Sequence, residues 1–216
     1  MVEIVEATKK TENTFEALYY FPTIIYKLKT PEFLEMCKSV CQEYLDKIET
    51  PIDEIHPVRM SPSFVRDDRM ESMKTYIKQA VKNILTQQGY DTGILDVHIS
   101  DMWCQEHNKG SGMEQHIHGS TAISGFYFVD CPEEGSKACF YDPRPAKTMI
   151  SIPKAKSNRV TPAADTIYIK PEEGSFIFAN SWLPHSFSRN RSDNPTRFIH
   201  LNMYITYKSR EKPEIV

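Results

Sequence analysis

Long hydrophobic runs and basic clusters are both missing from this sequence. Its apolar stretches are shorter than the roughly 18 residues of a membrane-spanning helix, and residues 1–14 are charged and polar where a signal peptide would be apolar. The formal net charge is −3, with acids and bases interspersed. Because a nucleic-acid groove needs clustered lysine and arginine, we expect a soluble, unprocessed protein with no membrane or nucleic-acid partner.

Cysteine is also scarce. The five residues are scattered and odd in number, and no Cys-x-x-Cys pair occurs among Cys37, Cys41, Cys104, Cys131 and Cys139. This spacing excludes a zinc ribbon. Reduced thiols in a cytoplasm fit the pattern best, so the predicted location is cytoplasmic.

The length of the chain sets its predicted organisation. A sequence of 216 residues with ordinary apolar content can bury one substantial core without a partner. We therefore predict a single domain over 1–216, with a helical N-terminal part at about 1–92 and a β-rich part at about 93–208. The oligomeric state is left open.

Two helices are predicted in the N-terminal part. The first follows Thr30-Pro31, a cap residue with proline at the first helical position, and the second begins near Asp67-Asp68 and stops at Gly89. Apolar residues recur at helical spacing, as Phe33, Leu34, Cys37, Val40, Cys41, Tyr44, Leu45 and Ile48 in the first helix, and as Met70, Met73, Tyr76, Ile77, Ala80, Val81, Ile84 and Leu85 in the second. Such stripes favour core packing against a sheet.

From Leu95 onward the apolar period changes to the alternation of strands. The predicted strands are 95–99, 121–129, 138–141, 149–152, 166–169, 175–179 and 197–207. Many short strands indicate a sandwich or barrel, so the fold class is mainly β with N-terminal helices (α+β). Residues 143–164, rich in proline and lysine, predict a long loop that covers a site.

Three histidines have the spacing of a metal site. His116 and His118 are separated by one residue, so on an extended strand both side chains project from the same face. That pair alone is weak evidence, since His-x-His also arises by chance. His185 follows much later, just after the apolar strand 175–179. Two ligands on one strand and a third on a distant strand are typical of a facial metal triad with open positions.

Arg197 is the predicted cation partner of a co-substrate. It opens a strand in which Ile199, Leu201, Met203 and Ile205 share its face. A guanidinium on an apolar inward face needs an anion, because burying it unpaired is costly. A salt bridge to a local acid, or a strand end open to solvent, is the alternative; Arg189 and Arg191 are the next candidate cations.

Four ordered segments resemble a known family. They are HIHGSTAISGFYFVD at 116–130, GSKACFYDPR at 135–144, GSFIF at 174–178 with WLPH at 182–185, and RFIHLN at 197–202. Together they look like the 2-oxoglutarate and Fe(II)-dependent oxygenases often found in phage and marine bacterial genomes, within the prolyl-hydroxylase-like superfamily. The resemblance covers roughly 103–204, and more faintly the segment around Phe21-Pro22.

The resemblance implies a cupin-like double-stranded β-helix (jelly roll), and a dioxygenase that hydroxylates a substrate with release of succinate and CO2. Its implied cofactors are Fe(II), 2-oxoglutarate as co-substrate and O2. His116 and His185 match the family's catalytic metal ligands, and Arg197 matches the basic residue that pairs with the far carboxylate of 2-oxoglutarate. Tyr127 is the candidate hydrogen-bond partner of the co-substrate. For a phage-encoded chain the compartment would be the host cytoplasm.

Position 118 departs from the family pattern, because the superfamily usually has a carboxylate where this chain has histidine. A site of His116, His118 and His185 suits Fe(II), and it also suits zinc or copper. Two alternatives stay open: Asp142 supplies the third ligand, or water completes a shell of two histidines.

Other functions stay open as well. One is a cupin-like enzyme with three histidines that does not use 2-oxoglutarate, and the other is a jelly-roll binding or structural module without metal. Arg144 could hold an anionic substrate. The substrate itself, a protein side chain or a small molecule, is not predicted, because specificity lies in variable loops.

Overall fold

In the computed structural model, which describes residues 16–49, 57–149, 152–155 and 160–208, ten strands form two antiparallel sheets. The strands are β1 (Ile25–Lys29), β2 (Val58–Met60), β3 (Leu95–His107), β4 (Met113–His116), β5 (Ile123–Asp130), β6 (Ala138–Tyr141), β7 (Thr166–Ile169), β8 (Ser175–Asn180), β9 (His185–Phe187) and β10 (Thr196–Tyr207). The larger sheet has the order β1-β8-β5-β10-β3-β2, and the smaller has the order β4-β9-β6-β7. From β3 onward the chain crosses between the two sheets repeatedly, which is the double-stranded β-helix that was predicted.

The two predicted helices are present. Helix α1 (Leu34–Asp46) follows a 3-10 turn at Pro31–Phe33, and α2 (Glu71–Gln87) follows a 3-10 turn at Asp68–Met70. The Asp67 carboxylate accepts a hydrogen bond from the Arg69 backbone N–H and so caps the second of these segments. The chain leaves α2 at Gly89, whose φ of 89° is in the left-handed region that glycine adopts readily. No helix among the described residues is long and apolar enough to cross a membrane.

The interior has two layers. One layer lies between the helices and the larger sheet, and contains the buried stripes of α1 and α2 together with Tyr127, Ile199 and Leu201. The other lies between the two sheets and contains Phe126 and Phe198 among other apolar residues. Successive residues of β5 and β10 therefore point into different layers, as the two-residue period of a strand requires.

Some predicted boundaries are wrong. Met149 caps a short helix, α3 (Pro145–Thr148), and Ile152 is in no strand, so neither described end of the predicted strand at 149–152 is β; residues 150 and 151 lie outside the described part of the chain. Strands β1 and β2 lie within the part predicted to be helical. Both pair at an edge of the larger sheet, and such short segments carry little periodic signal of their own.

A buried carboxylate joins three strands on the helical side of the larger sheet. Glu106 of β3 is 3% exposed and accepts hydrogen bonds from Arg59 Nη1 of β2 at 3.0 Å and from Arg197 Nε of β10 at 2.6 Å. Arg197 Nη1 also donates to Gln42 Oε1 on α1 at 3.0 Å. This cluster, Glu106 with Arg59 and Arg197, ties the sheet to the first helix.

Replacement of Glu106 by glutamine should destabilise the fold by roughly 3 kcal/mol, because two half-buried guanidinium groups lose their shared anion. The free energy of unfolding in urea measures the effect. Glu133→Gln is the matched control, since Glu133 is highly exposed and pairs with Lys170 at the surface; it should leave the free energy of unfolding nearly unchanged. Equal losses in the two variants would contradict a structural role for Glu106.

Candidate metal centre

Three histidines converge where β4 ends and β9 begins. His116 and His185 are opposite each other in the antiparallel register, and His118 lies two residues beyond the end of β4. The ring centroids are 4.5 Å apart for His116 and His185, 5.0 Å for His116 and His118, and 5.2 Å for His118 and His185. One ring nitrogen from each residue lies within 4.8 Å of the others, which is the geometry of a shared metal ion. The structure thus brings together the three predicted ligands.

Backbone carbonyls fix the orientation of two of the rings. His185 Nδ1 donates to the Leu183 carbonyl at 2.9 Å, and His116 Nδ1 donates to the Glu114 carbonyl at 2.7 Å. A proton held on Nδ1 leaves Nε2 as the metal-binding nitrogen. His118 is positioned through its backbone, whose N–H donates to the Ser181 carbonyl at 3.0 Å.

The ligand nitrogens have no protein partner. His118 Nε2 and His185 Nε2 are buried and make no hydrogen bond. Such unsatisfied buried groups are costly, and a metal ion would satisfy both. Burial is the main cause that lowers the pKa of His118 and of His185 to about 4, and the neighbouring His116 contributes to this shift. The two rings are therefore neutral near pH 7, the state in which imidazole binds a metal. Three imidazoles with open positions fit Fe(II).

Asp142, the alternative third ligand, is engaged elsewhere. Its carboxylate accepts hydrogen bonds from Arg144 Nε at 2.9 Å and from Lys147 Nζ at 2.7 Å. The hydrogen bond from Arg144 is the main reason that the pKa of Asp142 lies well below its usual value. The same pairing occupies Arg144, the candidate anion-binding residue, although its side chain is still 66% exposed.

Arg197 and Tyr127 do not face the histidines, which corrects their predicted roles. Arg197 shares a face of β10 with Ile199 and Leu201 as predicted, but that face packs on the helices and its guanidinium binds Glu106. Tyr127 points the same way, and its hydroxyl donates to the Thr30 carbonyl at 2.9 Å. The prediction that Arg197 shares a face with Ile199 and Leu201 is therefore correct, but this face packs against the helices and not against the metal centre.

Two residues that the sequence analysis did not select border the centre. His200 of β10 is 3% exposed, and its ring lies 4.8 Å from that of His118. Trp103 of β3 packs on His200 with 4.2 Å between ring centroids. Burial lowers the pKa of His200 well below its usual value. The sequence could have indicated His200 through the alternation of side chains along a strand. His200 is three residues after Arg197, so the two side chains lie on opposite faces of β10.

A cavity of about 480 Å³ opens at the same end of the barrel. Its walls are formed by residues 18–23, by 140–144 after β6, by 160–162 and 164–165, and by Leu183, whose carbonyl holds His185. The register explains the proximity, since Phe140 at the end of β6 is opposite His185. The described part of the loop predicted at 143–164 contributes to this wall; residues 150–151 and 156–159 lie outside the described residues.

Comparison with known proteins agrees with this geometry. Residues 101–201 match the family model for 2OG-Fe(II) oxygenases. No curated protein sequence matches the chain significantly.

Solved structures share the fold at low sequence identity. A prolyl-4-hydroxylase from Pseudomonas putida has a TM-score of 0.59 at 8% identity, over 84% of this chain and 93% of that one. The epimerase SnoN from nogalamycin biosynthesis, in complex with Fe3+, alpha ketoglutarate and nogalamycin RO, has a TM-score of 0.60 at 12% identity, over 90% and 87%. The viral collagen prolyl hydroxylase of Paramecium Bursaria Chlorella virus-1, in its 2OG complex, has a TM-score of 0.53 at 11% identity, over 83% and 94%.

His116→Ala and His185→Ala should each abolish stable metal binding. Either change leaves two protein ligands, so affinity should fall by more than the roughly 10- to 100-fold that loss of a supporting outer residue costs. Anaerobic titration with Fe(II) measures the affinity. His98→Ala is the control, because His98 stacks on Tyr204 near the far end of β10. Near-normal iron occupancy in either ligand variant would contradict the triad.

His118→Asp should retain Fe(II), because a carboxylate oxygen is also a good iron ligand and restores the ligand set that is commoner in the superfamily. His118→Ala should lose affinity, because it supplies no donor atom. The same Fe(II) titration compares the two variants. Full metal affinity in His118→Ala would show that His118 is not a ligand, and water would then complete the shell of His116 and His185.

Proposed function

We propose that this chain is a 2-oxoglutarate and Fe(II)-dependent oxygenase, as the family-model match over residues 101–201 supports, and that it hydroxylates a substrate held in the cavity of about 480 Å³ whose wall includes Leu183. The observation that carries the proposal is the cluster of His116, His118 and His185, in which Nε2 of His118 and of His185 is buried and has no hydrogen-bond partner. When bound, Fe(II) and 2-oxoglutarate supply the activation of dioxygen, with succinate and CO2 as co-products.

The chain's own side chains orient the ligands and keep water away. Phe126 and Phe140, both buried, pack on His185 with ring-centroid distances of 5.4 Å and 6.1 Å. A dry surrounding protects a reactive oxidant from side reactions with water. The hydrogen bond from His185 Nδ1 to Leu183 links the metal ligand directly to a residue of the cavity wall.

The cavity wall supports a substrate that is mainly apolar with a few polar groups. Tyr19, Tyr20 and Phe21 are more than 70% exposed along one side, so their rings are available for contact with a ligand. Asp142 and Arg144 add a paired carboxylate and guanidinium to the same wall. Apolar walls with a small number of fixed polar groups are usual for small-molecule sites of this size.

A three-histidine metalloenzyme that does not use 2-oxoglutarate is the second candidate. It is favoured by one observation, the pairing of Arg197 with Glu106, which removes the expected cation from the co-substrate site. The two candidates differ in whether the metal-loaded protein binds a 2-oxo acid.

The cysteines support a reducing compartment such as the cytoplasm. All five are free thiols, and four of them are buried. Cys37 is close to Met73, with 3.5 Å between the sulfur atoms, and Cys41 and Cys104 are buried in the same helical layer. Free cysteines used as small core residues are typical of proteins that are not exposed to an oxidising environment.

Anaerobic addition of 2-oxoglutarate to the Fe(II)-loaded protein should produce a weak visible charge-transfer band, because the keto acid would chelate the metal. Exposure to oxygen should then form succinate slowly even without substrate. His185→Ala is the control and should show neither signal. Stoichiometric metal without the band would favour the second candidate, and absence of metal from the purified protein would favour a binding module.

A further inference from the structure

Unsatisfied polar atoms are concentrated around the metal centre. Six buried side-chain nitrogen or oxygen atoms among the described residues have no hydrogen-bond partner, and four of them lie together here: Trp103 Nε1, His118 Nε2, His185 Nε2 and His200 Nε2. A metal ion accounts for those of His118 and His185. The atoms of Trp103 and His200 need another partner, because leaving a buried donor unpaired is costly.

Trp103 and His200 form a fixed pair. They are opposite each other in the register of β3 and β10, and their rings lie 4.2 Å apart. His200 is 3% exposed and is also packed by Phe126, with 4.9 Å between ring centroids. An indole N–H can only donate, so the missing partner of Trp103 must be an acceptor. Two packed rings, each with a buried nitrogen that has no partner, offer two hydrogen bonds to an anion with two oxygens.

Ring contacts join the pair to the metal ligands. His200 packs on His118 with 4.8 Å between ring centroids, and Trp103 packs on His200 with 4.2 Å between ring centroids. A 2-oxo acid that bound the metal through its near carboxylate and keto oxygen would leave its other end free to contact residues next to the three histidines. The position of Trp103 and His200 suits that other end.

We propose that Trp103 Nε1 and His200 Nε2 hold the far carboxylate of 2-oxoglutarate in this chain, in place of an arginine. The inference rests on the proposed function, since it assigns one end of the co-substrate. Arg197 is excluded from this task because it lies on the opposite face of β10 and binds Glu106. His200 also lies outside the group of three histidines whose nitrogens converge within 4.8 Å, so it is a co-substrate contact and not a fourth ligand.

Charge balance explains why neutral donors suffice. Three neutral imidazoles leave the full double positive charge of Fe(II) uncompensated, and 2-oxoglutarate is a dianion. The complex of metal and co-substrate is therefore neutral without a cation at the far carboxylate. Hydrogen bonds to an ionised group are about twice as strong as those between neutral groups, so an indole and an imidazole provide substantial binding.

Two variants and two ligands test the assignment. Trp103→Phe removes the donor and keeps a ring against His200, and His200→Leu removes the second donor with little change in volume. Each protein is loaded with Mn(II) and titrated calorimetrically with 2-oxoglutarate and with 2-oxopentanoate, which has the same keto acid end and no far carboxylate. Arg197→Met is the matched control for loss of the nearby cation on the other face.

We expect each test variant to bind 2-oxoglutarate roughly 10- to 100-fold more weakly than the wild type, and to bind 2-oxopentanoate with nearly unchanged affinity. Mn(II) affinity should stay within about threefold, which also establishes that the variants fold. Arg197→Met should bind both acids like the wild type.

Other outcomes would overturn the assignment. Equal weakening of both acids would mean that the pair supports the keto acid end or the local fold. Unchanged binding of 2-oxoglutarate in both variants, or its loss in Arg197→Met alone, would place the far carboxylate elsewhere, and loss of Mn(II) in His200→Leu would make His200 a ligand. If the metal-loaded wild type binds neither acid, the proposed function itself fails; if it binds both acids equally, only the far-carboxylate contact is refuted.

Discussion

The alternation of side chains along β10 is the constraint on which the rest of the site depends. Both faces of this strand are buried, one against the helices and one against the smaller sheet. Arg197 therefore lies among the groups that hold the helices to the sheet, while His200, three residues later, lies beside the metal ligands. A shift of one residue in the pairing of β10 with β3 would exchange these roles, so the register of two strands determines which residues do chemistry.

The metal centre is assembled by strand ends and not by a single loop. His116 and His185 face each other because β4 and β9 pair, and Phe140 joins them because β6 pairs with β9. The rings are then oriented by carbonyl groups two residues away in the chain, which need no distant partner. The cost of burying neutral imidazoles without partners remains in the metal-free protein, so a bound metal should stabilise the fold as well as enable the reaction.

Much of this arrangement could be predicted from the sequence, for identifiable reasons. The stripes of α1 and α2 have a clear helical period, and the His-x-His pair followed by a distant histidine has few explanations other than a metal. The face of Arg197 could not be predicted, because β10 is apolar on both sides and alternation then gives two equivalent choices. The strand predicted to begin at Met149 does not begin there, because Met149 ends the short helix that precedes it. His200 was overlooked since a histidine in an apolar strand is usually a packed core residue.

The wall of the cavity has a further consequence for how such a protein can diversify. One side is formed by residues 18–23, which precede β1 and lie far in sequence from every proposed metal or co-substrate contact. The other side is a long connection between β6 and β7. Neither segment belongs to the strands that position the histidines. Mutations in these two segments could therefore change the substrate that is bound without moving the residues of the metal centre. New substrate specificities could evolve on this chain in that way.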